Sequence, residues 1–522
     1  MSDLTYARLR ATDPGRWRAA ALAWRAWASL AGHWAAEFGP LLARLRNAWS
    51  GAAATAAATR LSALRTALSL FRLLCWEVDQ VLSEFAAALG RAKTLLTRAD
   101  ATAHGAGLTI DHSGAVGVAS PDAAGPAVGL ANAQLAEALA IATSADAGAS
   151  DRLAAATAAA SGRDAPPPPS SPLPPCRATP AEVRRWWDGL TPEQRRWLVA
   201  TEPGWLGPLD GVPAGFRDLA NRLLLDDRRA DLDREAADAR GGDARRIRSL
   251  RDGLARLEDR LADGDGPRAY LLRLDLAEDG RAIVALGDPD RARNVLTHVP
   301  GMTADLESYR GELVRAERVA VRAAQLGPES ATSAVMWLGY DAPDFVDEAA
   351  GAGRAEAGAV GLRRFQEGLR ATHEGSPARQ TVLGHSYGSL VVGTAARTAG
   401  LQADSVVFVG SAGVGVDSAA RLHVPHGQVW SSTSRSDVIE YAAVSPRSLM
   451  EDVALARAVP VIGPMFAFGR PEDDLWFGRN PSDPAFGARL FTSQADGGHR
   501  GYWDEGRPAL DEITAITLGT AR

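Results

Sequence analysis

From Trp17 to about Leu96 apolar residues return every three or four positions, with Pro40 the single proline in the stretch. That is the spacing of long helices burying one stripe each. Leu61, Leu64, Leu68, Phe71, Cys75, Val78, Leu82, Phe85 and Leu89 keep an alternating three-and-four spacing suited to helix packing. Trp17, Trp24, Ala31, Phe38 and Leu45 form the matching stripe of an earlier helix. The two meet at Trp49, Ser50 and Gly51, where glycine relaxes the backbone enough to turn. The pattern predicts an antiparallel, all-α helical hairpin domain over residues 1–105.

Residues 106–178 carry weaker signals. GLTIDHSGAVGVAS predicts a small β-hairpin turning at Asp111 to Gly114, and an alanine-rich stretch follows. APPPPSSPLPP, residues 165–175, favours a stiff, extended connection because proline excludes a packed helix. The major boundary is expected there. Residues 179–265 read as a helical lead-in, with Thr179 and Thr191 as N-caps ahead of prolines. Ile247, Leu250, Leu254, Leu257 and Leu261 form an apolar stripe within a charged helix.

From Tyr270 the period changes to short apolar runs broken by glycine and proline. YLLRLDL, GRAIVALGD, RNVLTHVPG, SAVMWLGY, QTVLGHS, DSVVFVGS, GQVWSSTS and ARLFTS are eight strand candidates, most of the later ones separated by helical patterns. The alternation predicts an α/β fold with a mainly parallel sheet of about eight strands. The closely spaced first strands suggest an antiparallel edge.

Within this layout Gly384-His385-Ser386-Tyr387-Gly388 stands between a buried strand and a small-residue helix. This is the Gly-x-Ser-x-Gly nucleophile elbow, with Ser386 at its centre and the helix N-terminus behind it. A serine needs a histidine base, itself oriented by a carboxylate, and both follow the serine in chain order here. His423 and His426 precede a strand, whereas His499 follows the last one in a glycine-rich loop, so His499 is the expected base. Asp437, just past GQVWSSTSRS, is the preferred acid. Asp483 competes and Asp417 is a weaker alternative. His385 reads as a neighbour lining the site. For the oxyanion, backbone N–H groups are expected from Tyr387 and from Met302 in the HVPGMT loop.

Composition narrows the chemistry. With 57 basic and 63 acidic residues the net charge is -6, which gives no reason to expect a nucleic-acid partner. Cys75 and Cys176 have no metal-like spacing, and no phosphate loop appears, so no cofactor or metal is expected. The charged first residues argue against a cleavable export signal. LSALRTALSLFRLLCWEVDQVL is interrupted by Arg65, Arg72, Glu77 and Asp79, which argues against a spanning helix. The expectation is a cytoplasmic protein without a transmembrane segment.

Two resemblances sharpen this reading. The hairpin, through its WSG turn, resembles the WXG-type helical domains of actinobacterial type VII secretion systems. That likeness implies a helical protein partner, beside the alternative that the hairpin packs on its own chain. No tyrosine lies between Tyr6 and Tyr270, so the tyrosine-plus-acidic export signature is missing. Residues 180–520 resemble a family of actinobacterial alpha/beta hydrolases. The matching pieces are WLGPLDGVPAGFRDLANR, THVPGM, WLGYDAP, VLGHSYGS, GSAG and the run from FGARLF to GGHRGYWD. The likeness implies an alpha/beta-hydrolase domain over 179–522 with Ser386, an acid and His499. It departs at Asp437-Val438, where the family pattern often has Asp-Pro. The expected function is a serine hydrolase, esterase or lipase-like, acting on a small-molecule ester or acyl substrate. The rival expectation is a non-catalytic or secretion-associated binding scaffold.

Overall fold

The computed structural model of the chain describes residues 5–118, 125–161, 174, 177–263, 266–328, 330–398, 400–437, 439 and 474–522. A short helix α1 (Tyr6–Ala11) leads into α2 (Pro14–Ala48) and α3 (Ala52–Gly105). Asp13 caps α2 ahead of a proline in its first turn. The reversal occurs at Gly51, whose φ of 101° is open to glycine. Strands β1 (Leu108–Ile110) and β2 (Val116–Val118) form the small antiparallel hairpin around Asp111 to Gly114. The alanine-rich stretch is a third long helix, α4 (Gly125–Ser161), packed along α3. Its buried residues include Leu135, Ala138 and Ala142, so close approach on small side chains replaces a stripe of large ones. The proline-rich segment 165–175 lies almost wholly outside the described residues.

The pairing of α2 on α3 departs from the expected stripe. Cys75, Val78, Leu82, Phe85 and Leu89 of α3 are buried as the spacing predicts, but Leu64 and Phe71 are exposed. Helix α2 buries Ala21, Ala28, Ala31 and Leu42 and leaves Trp17 and Trp24 exposed. The small residues win because they let the backbones approach. A Cβ on Gly32 would already stand 2.9 Å from Arg72 Nε.

Helices α5 (Pro180–Asp188), α6 (Pro192–Thr201), α7 (Pro203–Leu206), α8 (Ala214–Asp238) and α9 (Gly241–Ala262) form the lead-in. Thr179 and Thr191 close capping boxes on α5 and α6. Leu73, Cys75 and Trp76 of α3 share one core with Val183, Trp187 and Leu198. Arg72 reaches Asp226 at 2.8 Å and Asp227 at 2.7 Å, and Tyr270 donates to Glu84 at 2.9 Å. Paired charges of this kind can be buried where lone ones cannot.

The remaining strands are β3 (Ala269–Asp275), β4 (Arg281–Leu286), β5 (Asn294–Val299), β6 (Thr332–Trp337), β7 (Arg379–His385), β8 (Ser405–Val409) and β9 (Val429–Ser432). A two-stranded ribbon of β10 (Asp474–Leu475) and β11 (Gly478–Arg479) precedes β12 (Arg489–Leu490). The sheet order is β12-β9-β8-β7-β5-β6-β4-β3, and each of the eight strands overlaps a run read from the sequence, β3, β6 and β7 starting one residue earlier. Pairing is parallel from β12 to β6; β4 runs antiparallel to both β6 and β3, which makes the antiparallel edge.

Strand order explains where a site can form. From β5 the chain passes through α10 (Tyr309–Leu326) to β6. It then returns through α11 (Val346–Ala349) and α12 (Gly353–Thr372) past β5 to β7. Helix α13 (Tyr387–Arg397) and β8 continue in that second direction. Right-handed crossovers in opposite directions put α10 on one face and α12 and α13 on the other. The closing helix α14 (Pro508–Leu518) packs beside α10. The reversal falls between β5 and β7, the kind of switch point outside whose carboxyl ends open α/β sheets bind their ligands.

Candidate active site

Ser386 follows β7 at that switch point with φ 54° and ψ -128°, a strained conformation for a residue with a side chain. The elbow is possible because Gly384 and Gly388 lack Cβ atoms: one on Gly388 would lie 2.3 Å from the Val299 carbonyl oxygen. Ser386 is nearly buried, 8% exposed. Tyr387 is the first residue of α13, so its N–H has no partner within the helix.

The loop after β5 closes over the serine. A Cβ on Gly301 would come within 2.6 Å of Ser386 Cβ and 3.1 Å of its Oγ. Met302, next in line, is partly exposed. The loop is anchored by Tyr340, which donates to the Pro300 carbonyl at 2.7 Å, and by the Thr303 N–H, which donates to Pro343 at 2.9 Å. Tyr340 stacks between Trp337 and Tyr387. Its part was invisible in the sequence, although WLGYDAP contains it.

Asp437 lies in the loop after β9 with no exposed surface. Its Oδ1 is 2.8 Å from His499 Nδ1, and it also accepts the Ile439 N–H at 2.9 Å. Its Oδ2 accepts the Tyr502 hydroxyl at 2.6 Å. Tyr502 in turn accepts the Ser434 N–H at 2.9 Å, and Ser436 Oγ accepts the Gly498 N–H at 2.8 Å. The two loops are thereby tied together on both sides of the His499–Asp437 pair. An acceptor at Nδ1 holds the proton there and leaves Nε2 free as a base. Asp483 is elsewhere: it caps Ala485 at 2.8 Å and pairs with Arg479 at 3.0 Å. Asp417 accepts the Arg479 N–H at 3.2 Å.

Gly410, after β8, is a further requirement of the site that the sequence did not disclose. Its φ is 53°, and a Cβ there would stand 2.6 Å from Asp437 Oδ2 and 3.1 Å from His499 Nδ1. No hydrogen bond joins Ser386 Oγ to His499 Nε2 in this structure. Such bonds commonly tighten only once substrate is seated.

His385 does not line an open site. It is buried behind His499, its ring centroid 4.6 Å away, and its Nε2 donates to the His499 carbonyl at 2.8 Å. Its Nδ1 faces Arg315 Nη1 at 3.3 Å, and Arg315 grips Glu312 at 2.6 and 2.7 Å. Glu312 completes the chain to His298 at 3.1 Å. Burial, reinforced by His499 and Arg315, pushes His385 well below the ordinary imidazole range. Burial alone would raise Glu312, but the His298 hydrogen bond and the Arg315 charge outweigh it and hold the carboxyl low. Arg315 also lies over the Trp503 ring, 5.0 Å from its centroid. A neutral His385 donating from Nε2 holds the histidine loop from behind.

At the rim Phe477 packs edge-on to Tyr387, with centroids 6.0 Å apart. The apolar run VPVIGPMFAFG, residues 459–469, lies outside the described residues.

Residues 275–446 match a family model described as alpha/beta hydrolase. The chain is 30% identical over 400 residues to the uncharacterized protein Rv2079 of Mycobacterium tuberculosis. That alignment covers 69% of this chain and 59% of the relative, so the chain spans about three fifths of that relative's length. It is 34% identical over 194 residues to the uncharacterized protein Rv0963c of the same organism, covering 35% of this chain and 69% of the relative. The uncharacterized protein Mb0988c of Mycobacterium bovis matches to the same extent. No solved structure gives a significant match.

Proposed function

Because the chain belongs to the alpha/beta hydrolase family, we propose that it is a serine hydrolase cleaving a carboxylic ester through an acyl-serine intermediate. The observation that carries this reading is the strained Ser386, held by the elbow between β7 and α13 at the switch point of the sheet.

In the proposed reaction His499 Nε2 takes the Ser386 proton as Oγ bonds to the ester carbonyl carbon. The carbonyl oxygen becomes an oxyanion, stabilised by the N–H groups of Tyr387 and Met302. Asp437 steadies the imidazolium that forms. Collapse of the intermediate breaks the bond to the alkoxy group, which leaves as the alcohol with the proton from His499. Water then gives a proton to His499 and its oxygen to the acyl carbon. The acid departs as Ser386 regains its hydrogen.

A fluorophosphonate probe tests this directly. Covalent labelling of the folded chain, lost in Ser386→Ala, together with hydrolysis of activated aryl esters, is the expected result. The missing Ser386–His499 hydrogen bond is the one observation that suits a non-catalytic scaffold. Folded protein that neither labels nor turns over short- and long-chain esters would decide for that scaffold.

A further inference from the structure

Helix α2 carries a face left largely open among the described residues, although Trp17 at its start packs edge-on to Phe85 with ring centroids 5.1 Å apart. Trp17, Trp24, Trp27 and Trp34 recur at intervals of seven, three and seven, with Leu41 seven further on, and Trp49 stands at the tip of the hairpin. All five tryptophans are 37–56% exposed, and Leu30 and Leu41 are open as well. Large aromatic side chains are ordinarily the first to be buried. Here the neighbouring stripe of Ala21, Ala28, Ala31 and Leu42 is buried in their place. The most open part is Trp27, Leu30, Trp34 and Leu41, about 21 Å long at 1.5 Å per residue. With Trp17 and Trp24 partly open at one end and Trp49 at the tip, it goes beyond the scattered apolar exposure usual on protein surfaces.

Charge says what fits this face. Residues 14–71 carry seven arginines and one carboxylate, Glu37, a net +6 in a chain whose total is -6. The rest of the protein therefore bears -12. Arg16, Arg44, Arg46, Arg60 and Arg65 are exposed. A second copy would bring the same positive surface and be repelled. Tryptophan and arginine together on one amphipathic helix suit the interfacial layer of a bilayer. There indole rings sit among the headgroups and guanidinium groups meet anionic lipid. No helix among the described residues is long and apolar enough to cross a membrane, so the contact would lie along the surface.

We propose that the tryptophan face of α2 docks this protein onto an anionic phospholipid surface, with the hairpin arginines holding the headgroups. This does not depend on the reaction at Ser386, and the Ser386→Ala chain should bind equally.

The test is flotation of the purified full chain with vesicles of phosphatidylcholine, with and without phosphatidylglycerol. The tryptophan emission maximum and its quenching by brominated lipid are read on the same samples. Binding should require phosphatidylglycerol, weaken with salt, shift emission to the blue and allow quenching. Replacing Trp24, Trp27 and Trp34 with serine should lower partitioning at least about tenfold. Each of Arg44→Gln, Arg46→Gln, Arg60→Gln and Arg65→Gln should cost about fivefold. Circular dichroism of the variants checks folding. Should the triple variant unfold, salt dependence and quenching on the unaltered chain still decide. Absence of binding to the anionic vesicles, or binding without quenching, overturns the proposal. A concentration-dependent dimer, or a complex with an acidic helical protein, that occupies the same tryptophans to the exclusion of vesicles overturns it too.

Discussion

Replacing Asp437 with asparagine probes the acid proposed for the site. The carboxylate accepts three hydrogen bonds, from His499 Nδ1, the Ile439 N–H and the Tyr502 hydroxyl. An amide offers one oxygen and one NH2. With the oxygen toward His499, the NH2 meets the Tyr502 hydroxyl, which already accepts the Ser434 N–H and whose own proton then loses its acceptor. With the NH2 toward His499, the imidazole must carry its proton on Nε2 and cannot act as base. Either way the charge that steadies the imidazolium is gone. The corresponding change in the best-studied triad costs roughly 10⁴-fold in turnover, or about 5.5 kcal/mol at 1.36 kcal/mol per decade. We expect a loss of that order here. Asp483→Asn should stay within about threefold of the parent, since its partners Ala485 and Arg479 are local to its own turn. The assay is turnover of one activated aryl ester by both purified variants at matched thermal midpoints. Near-normal turnover in Asp437→Asn, or a dead Asp483→Asn, would refute the assignment while leaving Ser386 and His499 in place.

Tyr340→Phe frees the Pro300 carbonyl and loosens the loop over Ser386. A loss of about 1 kcal/mol in unfolding free energy and a fall in kcat larger than any rise in KM are expected from denaturation and steady-state kinetics. Gly410→Ala puts a methyl against Asp437 and His499 at a positive φ, so both the melting temperature and turnover should drop, as calorimetry and the ester assay would report. His385 has a native pKa below its unfolded value, so the unfolded chain binds the extra proton. Stability should therefore decline as pH falls below about 6.5 and level off beneath the native value, with a shallower decline in His385→Asn when thermal midpoints are compared across pH. Burial pushes the Cys75 thiol up to about 11, so in Cys176→Ser a thiol reagent at neutral pH should label Cys75 only at the rate of unfolding, followed by absorbance.

Much of the fold was legible because its signals are local. The eight strands of the sheet show as short apolar runs between glycine and proline. The hairpin turn shows as Trp49-Ser50-Gly51, the caps of α5 and α6 as Thr-Pro pairs, and the elbow as glycines around a serine. Each depends on backbone conformation over a few residues, which residue type alone constrains. Two matters were not local. Asp417, Asp437 and Asp483 all follow strands or turns and look alike in sequence; only the folded loops bring Asp437, with Tyr502 and Gly410, against His499. The heptad of tryptophans in α2 resembles a packing seam, yet the helix turns its alanines inward, because close backbone approach to α3 leaves no room for indole rings. The sequence by itself determined most of the helices, the strands of the main sheet and the elbow, but not that the alanine-rich stretch is the long helix α4, which carries no stripe of large apolar residues. The tertiary structure decided which side chains meet and which apolar face stays open, since both depend on distances between residues far apart in the chain.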